Sequence, residues 1–353
     1  MKNKVIKIPA SELMEGMVVS KNFIVNNIRL LNKDVEISQR IANKIKETYP
    51  EALLEVYYPD NSLLSSYKKE TKASMIEAED FFKRVTHTCF KMFSRLEVRD
   101  DPDINMVRNL SKELLTTDIH QEIMIKNITT VRNLKDYDLR HSINTAILSV
   151  LIGRWLGYSP RNLKLLSYAA LLHDIGKEKI DEKILYKPGA LTENEYNMVK
   201  LHSQLGYEIL KKIPFLDSSV AIAVLMHHER EDGSGYPFGI KGDSISSYGK
   251  IIAIADTFDA MTSNRVYKER ISPLSALEEI RDCSFKTLDP KLCHLFIKNM
   301  MNLYIGNQIL LSNGATGTII KMDINSISKP LIITDQCFIN LSASKDLHIV
   351  DII

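Results

Sequence analysis

From Ser74 to about Asn302 the apolar residues of this chain recur at helical spacing, which commits its greater part to helices packed on helices. Start signals punctuate the pattern. Ser159-Pro160 and Ser272-Pro273 each set an N-cap residue before a proline at the first helical position, and Asp289-Pro290 repeats the arrangement. Thr192 with Glu195 forms a capping box, and the helix it opens is predicted to run through Tyr207. On both flanks the pattern changes. The N-terminal stretch mixes short apolar runs such as MVVS and FIV with the turn signals NNIR and YPDN, around one helix, SQRIANKIKETY. After Tyr304, GNQILLSNGATGTIIKMD reads as short strands about an Asn313-Gly314 turn, followed by PLIITD and HIVDII. The expected class is therefore mainly α, in four parts. Residues 1–65 form a small mixed α/β module of regulatory type, 66–128 a helical connector, 129–304 the all-helical principal domain, and 305–353 a short C-terminal β extension. No internal repeat or low-complexity tract interrupts this order.

Composition narrows the function classes. With 46 basic against 44 acidic residues the formal charge is +2, so nothing marks a polyelectrolyte for nucleic-acid polymers or membrane surfaces. An anionic ligand has to be held by local charge. Cys89, Cys283, Cys293 and Cys337 lie far apart with no C-x-x-C spacing, which argues against a disulfide framework and a structural zinc site. The start MKNKVIKIPASEL lacks an apolar signal core, and no segment approaches 18 uninterrupted apolar residues. A cytoplasmic protein without membrane insertion is expected.

The histidines carry the chemistry. Five of the nine, His141, His173, His202, His227 and His228, fall in the best-patterned helical stretches. His141 opens HSINTAILSVLIGRWLG, where Ile143, Ile147, Val150 and Leu151 mark an expected buried face. His173 and Asp174 end the very apolar LKLLSYAALLHD, so that helix delivers an imidazole and a carboxylate from the interior. Asp256 in GKIIAIADTFDAMTS is equally short of solvent, and a buried carboxylate is costly unless paired or bound to a cation. His202 is expected mid-helix in NMVKLHSQLGYEIL, and His227 and His228 end SSVAIAVLMHHE. Five histidines and two aspartates are too many donors for one tetrahedral zinc, and suit two octahedral ions that share a carboxylate.

Four segments in order, HDIGK (173–177), KPGALTENEYNMVKLH (187–202), HHEREDGSGYP (227–237) and IADTFDAMTSNRVYK (254–268), resemble the HD-GYP family over roughly residues 130–300. The resemblance implies an all-helical HD/HD-GYP catalytic domain, a phosphodiesterase that hydrolyses the bacterial second messenger cyclic di-GMP. It implies His141, His173, Asp174, His202, His227, His228 and Asp256 as metal ligands, with Asp174 bridging, and none of the seven is substituted. Lys177 would lie near the scissile phosphate, and Arg265 and Lys268 are similar to the family's phosphate-contacting residues. Gly233, Gly235, Tyr236 and Pro237 are expected to shape the loop rather than perform chemistry. Some members hold a third metal with a glutamate four residues before the first histidine; that position here is Tyr137, so two divalent ions, iron or manganese, are expected.

The implied chemistry is in-line attack of a metal-bridging hydroxide on phosphorus, with Asp174 and Lys177 at the reaction centre, opening the ring to pGpG and then to GMP. Two alternatives stand beside it: a non-catalytic cyclic di-GMP sensor acting through a protein partner, and an HD phosphohydrolase of another cyclic dinucleotide. The GYP loop speaks against a mononucleotide substrate. A homodimer and a signalling partner are compatible with the resemblance. His87, His120, His294, His348 and Trp155 read as ordinary structural or surface residues.

Overall fold

The computed structural model describes residues 5–14, 16–25, 28–33, 35, 37–57, 72–99, 103–116, 124, 125, 128, 137–263, 270–334, 338–344 and 346–353. Two compact units emerge, and the first gathers both chain ends, Met1–Lys69 with Tyr304–Ile353. Its N-terminal part contains β1 (Val5–Pro9), β2 (Val18–Val19), β3 (Phe23–Val25), β4 (Ile28–Leu31), α1 (Gln39–Thr48) and β5 (Leu53–Tyr57). Strands β1, β5 and β2 form an antiparallel sheet in that order, and β3 pairs with β4 as a hairpin. Ile8, Leu13, Val19, Ile37, Leu54 and Val56 are its buried core. Ser38 caps α1 by accepting from the Ile41 amide, and Ala42 and Ile45 face inward.

The C-terminal part is a five-stranded antiparallel sheet of β6 (Gln308–Leu311), β7 (Thr316–Lys321), β8 (Leu331–Ile333), β9 (Phe338–Asn340) and β10 (Ile349–Ile352), in the order β10-β6-β7-β8-β9. The Asn313-Gly314 turn joins β6 to β7 as expected. Gly314 has φ +80°, and the Asn313 side chain accepts from the Ala315 amide at 3.0 Å.

The second unit, Glu70–Leu303, is helical. Its elements are α2 (Lys72–Arg99), α3 (Ile104–Thr116), α4 (Tyr137–Trp155), α5 (Pro160–Leu171), a 3₁₀ turn at Ile175–Lys179, α6 (Glu182–Leu185), α7 (Glu193–Lys200), α8 (His202–Leu210), α9 (Ser218–Met226), α10 (Ser247–Thr262), α11 (Pro273–Cys283) and α12 (Pro290–Tyr304). The caps fall where the sequence puts them. Ser159 accepts from Asn162, Ser272 from Ser275, Asp289 from Lys291 and Leu292, and Thr192 with Glu195 closes a full capping box. No helix among the described residues is long and apolar enough to cross a membrane.

Two local expectations need correction. The helix opened at Thr192 does not run unbroken through Tyr207: it stops at Lys200 and restarts at His202, with Leu201 as the joint. His202 is therefore the first residue of α8 rather than a mid-helix residue. The α4 helix also buries more than the one face expected of it. Ile143, Ile147, Val150 and Leu151 are buried, but so are Ser142, Asn144, Thr145 and Ser149, because α2, α5 and α10 all pack around α4. A helix enclosed on every side has no polar face to show.

Candidate metal centre

Each of the seven expected donors sits where a helix starts, ends or is deeply enclosed. His141 lies near the start of α4; His173 and Asp174 form the turn between α5 and the 3₁₀ segment; His202 opens α8; His227 caps the C-terminus of α9, with His228 next; Asp256 lies within α10. Helix ends let a side chain approach from the interior while its backbone remains satisfied. The seven meet as two groups, Asp174 with His202, His227 and His228, and His141 with His173 and Asp256; the donor atoms of each group all lie within 4.8 Å of one another.

The imidazoles are aimed by their other nitrogen. Nδ1 of His173 donates to the Ala170 carbonyl at 2.8 Å, that of His202 to Val199 at 2.7 Å, and that of His227 to Val224 at 2.6 Å. A carbonyl only accepts, so Nδ1 bears the proton and Nε2 is left as a lone pair turned to the centre. Nε2 of His202 and of His227 then face one another at 3.3 Å with no proton between them. Nε2 of His173 is buried and makes no hydrogen bond. Converging lone pairs without a donor are unfavourable unless a cation lies among them, so these residues fit a metal site. Asp174 completes the fit from between the groups: Oδ1 is 3.4 Å from His202 Nε2, whereas Oδ2 is 3.3 Å from His173 Nε2 and 3.7 Å from His141 Nε2.

Electrostatics agree with the geometry. Burial alone would raise the pKa of Asp174, but Lys177 and His173 outweigh it and hold the carboxyl well below its ordinary value. Burial likewise opposes ionisation of Asp256, and His141 overcomes it. His227 is pushed well below the ordinary histidine value by burial and then by His173 and His202; His228 is pushed down by burial and then by His227. Asp174 and Asp256 are thus held as carboxylates, and His227 and His228 as neutral imidazoles, the forms that ligate metal. His141 is the exception. Burial disfavours its charge, yet Asp256 and Asp259 lift its pKa to about 10, so the two carboxylates that attract a proton there would equally attract a metal cation. Lys177 Nζ donates to Asp174 Oδ2 at 2.6 Å, with its side chain 29% exposed at the edge of the centre. Arg265 and Lys268 lie outside the described residues, as does the side chain of Tyr137.

Three residues that sequence reasoning passed over hold the centre in shape. Asp259, fully buried one turn beyond Asp256, accepts from His141 Nδ1 at 2.7 Å and is itself held by Asn144 Nδ2 at 2.8 Å and Ser263 Oγ at 3.2 Å. Its only sequence signal was the i, i+3 spacing in DTFD, which places both aspartates on one helix face. Gly176 lets the 3₁₀ turn touch α8: a Cβ there would intrude on the His202 carbonyl oxygen and stand 2.6 Å from the Gly206 amide nitrogen. Glu229, 2% exposed, accepts the amides of Phe238 at 2.7 Å and Ile240 at 3.1 Å. It thereby ties the 233–240 loop to the end of α9. Within that loop, Gly235 presses on the backbone of His228, Glu229 and Arg230. The Tyr236 ring stacks on His228 with centroids 4.6 Å apart.

The chain is similar to known proteins over this region and beyond it. The HD domain family matches residues 125–292. A cyclic di-GMP phosphodiesterase of Thermotoga maritima is 33% identical over 281 residues, covering 73% of this chain and 74% of that protein. A 3'3'-cGAMP-specific phosphodiesterase of Vibrio cholerae is 39% identical over 168 residues, 47% of this chain and 36% of the relative. An HDG"Y"P protein from Bdellovibrio bacteriovorus, known from its solved structure, shares the fold with a TM-score of 0.53 at 14% identity, over 84% of this chain and 99% of that one. With these seven side chains gathered and its GYP loop packed beside them, the chain belongs to the HD-GYP family of HD-domain proteins.

Proposed function

We propose that this chain is a metal-dependent phosphodiesterase that hydrolyses cyclic di-GMP to pGpG and, by a second cut, to GMP. The observation that carries the reading is Asp174, whose two oxygens face two separate groups of histidine and aspartate donors. His202, His227 and His228 would hold one divalent ion, and His141, His173 and Asp256 the other, with Asp174 between them. Mixed nitrogen and oxygen ligation suits iron or manganese better than calcium. Such ions, when bound, supply Lewis acidity that activates water and offsets charge on phosphoryl oxygens. The chain's own residues do the rest. Lys177, beside Asp174, brings a positive charge to the edge of the centre where a phosphate oxygen would lie. Arg265 and Lys268 supply further cations by their place in the SNRVYK motif. The nucleotide products stay in the cytoplasm with the enzyme, which works as a homodimer or with a signalling partner in the same reading.

A second substrate has its own support, since the Vibrio cholerae relative is named for 3'3'-cGAMP. A cyclic di-GMP sensor without catalysis is the remaining alternative. Protein purified without oxygen is expected to carry about two metal ions per chain, and to convert cyclic di-GMP faster than 3'3'-cGAMP when products are separated by chromatography. Stripping the metal with a chelator should stop turnover, and adding back iron or manganese should restore it. Metal-loaded protein that binds cyclic di-GMP but leaves it intact would overturn the enzymatic reading.

Asp259 gives a finer test of the donor geometry. Asp259→Asn keeps the shape but removes the charge behind His141. It is expected to weaken metal binding by about 10- to 100-fold, the usual cost of losing such a supporting carboxylate. Competition against a chelator of known affinity measures it, and an unchanged affinity would remove Asp259 from the support of the metal centre.

A further inference from the structure

From His228 a line of rings and one cation leads away from the donors. Tyr236 stacks on His228 at 4.6 Å with the planes 27° apart, and meets His202 edge-on at 6.2 Å. Lys200 Nζ stands 5.8 Å from the centroid of Tyr236 and 4.5 Å from that of Tyr196. Tyr196 is 48% exposed. Tyr196 and Lys200 are four residues apart on α7, so they share a face. That helix is fixed by its capping box and by Lys187, which donates to both oxygens of Glu195 at 2.8 and 2.7 Å. An exposed lysine-tyrosine pair on a helix is ordinarily surface decoration. This one differs because the same ammonium also reaches Tyr236, which packs against a donor of the metal centre.

We propose that Tyr196, Lys200 and Tyr236 form a shelf for one guanine base of the cyclic dinucleotide, a reading that rests on the proposed function and names its specificity. In a nucleotide the ribose separates base from phosphate, so a phosphate at the donors puts its base on adjoining surface. Aromatic rings stack on either purine without distinction. Lys200 adds the distinction. An ammonium only donates; guanine turns two acceptors, O6 and N7, along one edge, whereas adenine turns one acceptor and the N6 amino donor.

The test uses metal-loaded, full-length protein and a nonhydrolysable phosphorothioate analogue of cyclic di-GMP, with Kd read by calorimetry and metal content read alongside. Tyr196→Leu is expected to raise Kd about tenfold, within the range for one stacked base, with metal content unchanged. Tyr196→Phe should restore the wild-type Kd, since it keeps the ring; a merely apolar role would be satisfied by leucine. Lys200→Met should weaken the analogue of cyclic di-GMP several-fold more than the corresponding analogue of cyclic di-AMP. Kd for Tyr196→Leu within twofold of wild type, a loss accompanied by loss of metal, or equal effects of Lys200→Met on both dinucleotides would overturn the shelf. Wild type that binds the analogue yet never turns over cyclic di-GMP would sink the enzymatic reading and leave the shelf to be judged on the same Kd values; wild type that fails to bind would overturn both.

Discussion

Asp174→Ala is expected to lower turnover by roughly a thousandfold or more and to leave less than one metal ion per chain. The physical reason is that one carboxylate serves both groups of donors, Oδ1 toward His202 and Oδ2 toward His173 and His141. Its removal takes the shared anion from both groups. It also leaves the Lys177 ammonium without the carboxylate it touches at 2.6 Å, a positive charge that would repel an incoming cation. Elemental analysis and product chromatography on the same sample check both halves of the expectation. Asp174→Asn separates charge from shape, because the amide fills the same space. If that variant keeps full metal content and activity, Asp174 does not join two ions.

Gly176→Ala is expected to destabilise the fold by about 3 kcal/mol or more, at the upper end of overpacking costs, lowering Tm by roughly 6–12 °C. The added methyl group would meet the carbonyl oxygen and carbon of His202 and the amide nitrogen of Gly206, which are backbone atoms that cannot swing aside as a side chain can. The 3₁₀ turn and α8 must separate. Because His202 opens α8 and Asp174 immediately precedes the turn, the same separation pulls two donors apart. Metal affinity should therefore fall along with Tm. Thermal melts with and without added manganese test it: a Tm within about 2 °C of wild type would show that the turn yields without moving α8.

The donors were legible because chemistry and pattern disagree at them. Histidine and aspartate at the ends of strongly apolar segments, as in LLHD and VLMHH, have no ordinary reason to be inside, and their inward placement follows from the helix they terminate. Asp259 carried no such contradiction, since an aspartate three residues after another reads as a second polar position on a helix; only the tertiary approach of His141 makes it buried. The break at Leu201 was also invisible. Residues 193–210 keep helical spacing throughout, and the interruption shows only in the structure, where one helix ends at Lys200 and the next begins at His202. The enclosure of α4 depends on α2 and α10, distant in sequence, as well as on the adjacent α5, and the gathering of both chain ends into one compact unit leaves no periodic mark. The Asn313-Gly314 turn and the caps at Ser159, Thr192, Ser272 and Asp289 were read correctly because each is decided within four residues, whereas the turn signals NNIR and YPDN fall wholly or partly outside the described residues.

The carboxylate of Glu229 has a consequence for how the centre moves. It fastens the amides of Phe238 and Ile240 to the residue that directly follows two imidazole donors, while Gly235 lies on the His228 backbone and Tyr236 on the His228 ring. Loop and donors consequently share one degree of freedom. A shift of residues 235–240 would therefore have to break the two amide bonds to Glu229 or carry the end of α9 with it. The surface of the GYP segment is, in mechanical terms, the outer end of the candidate metal centre.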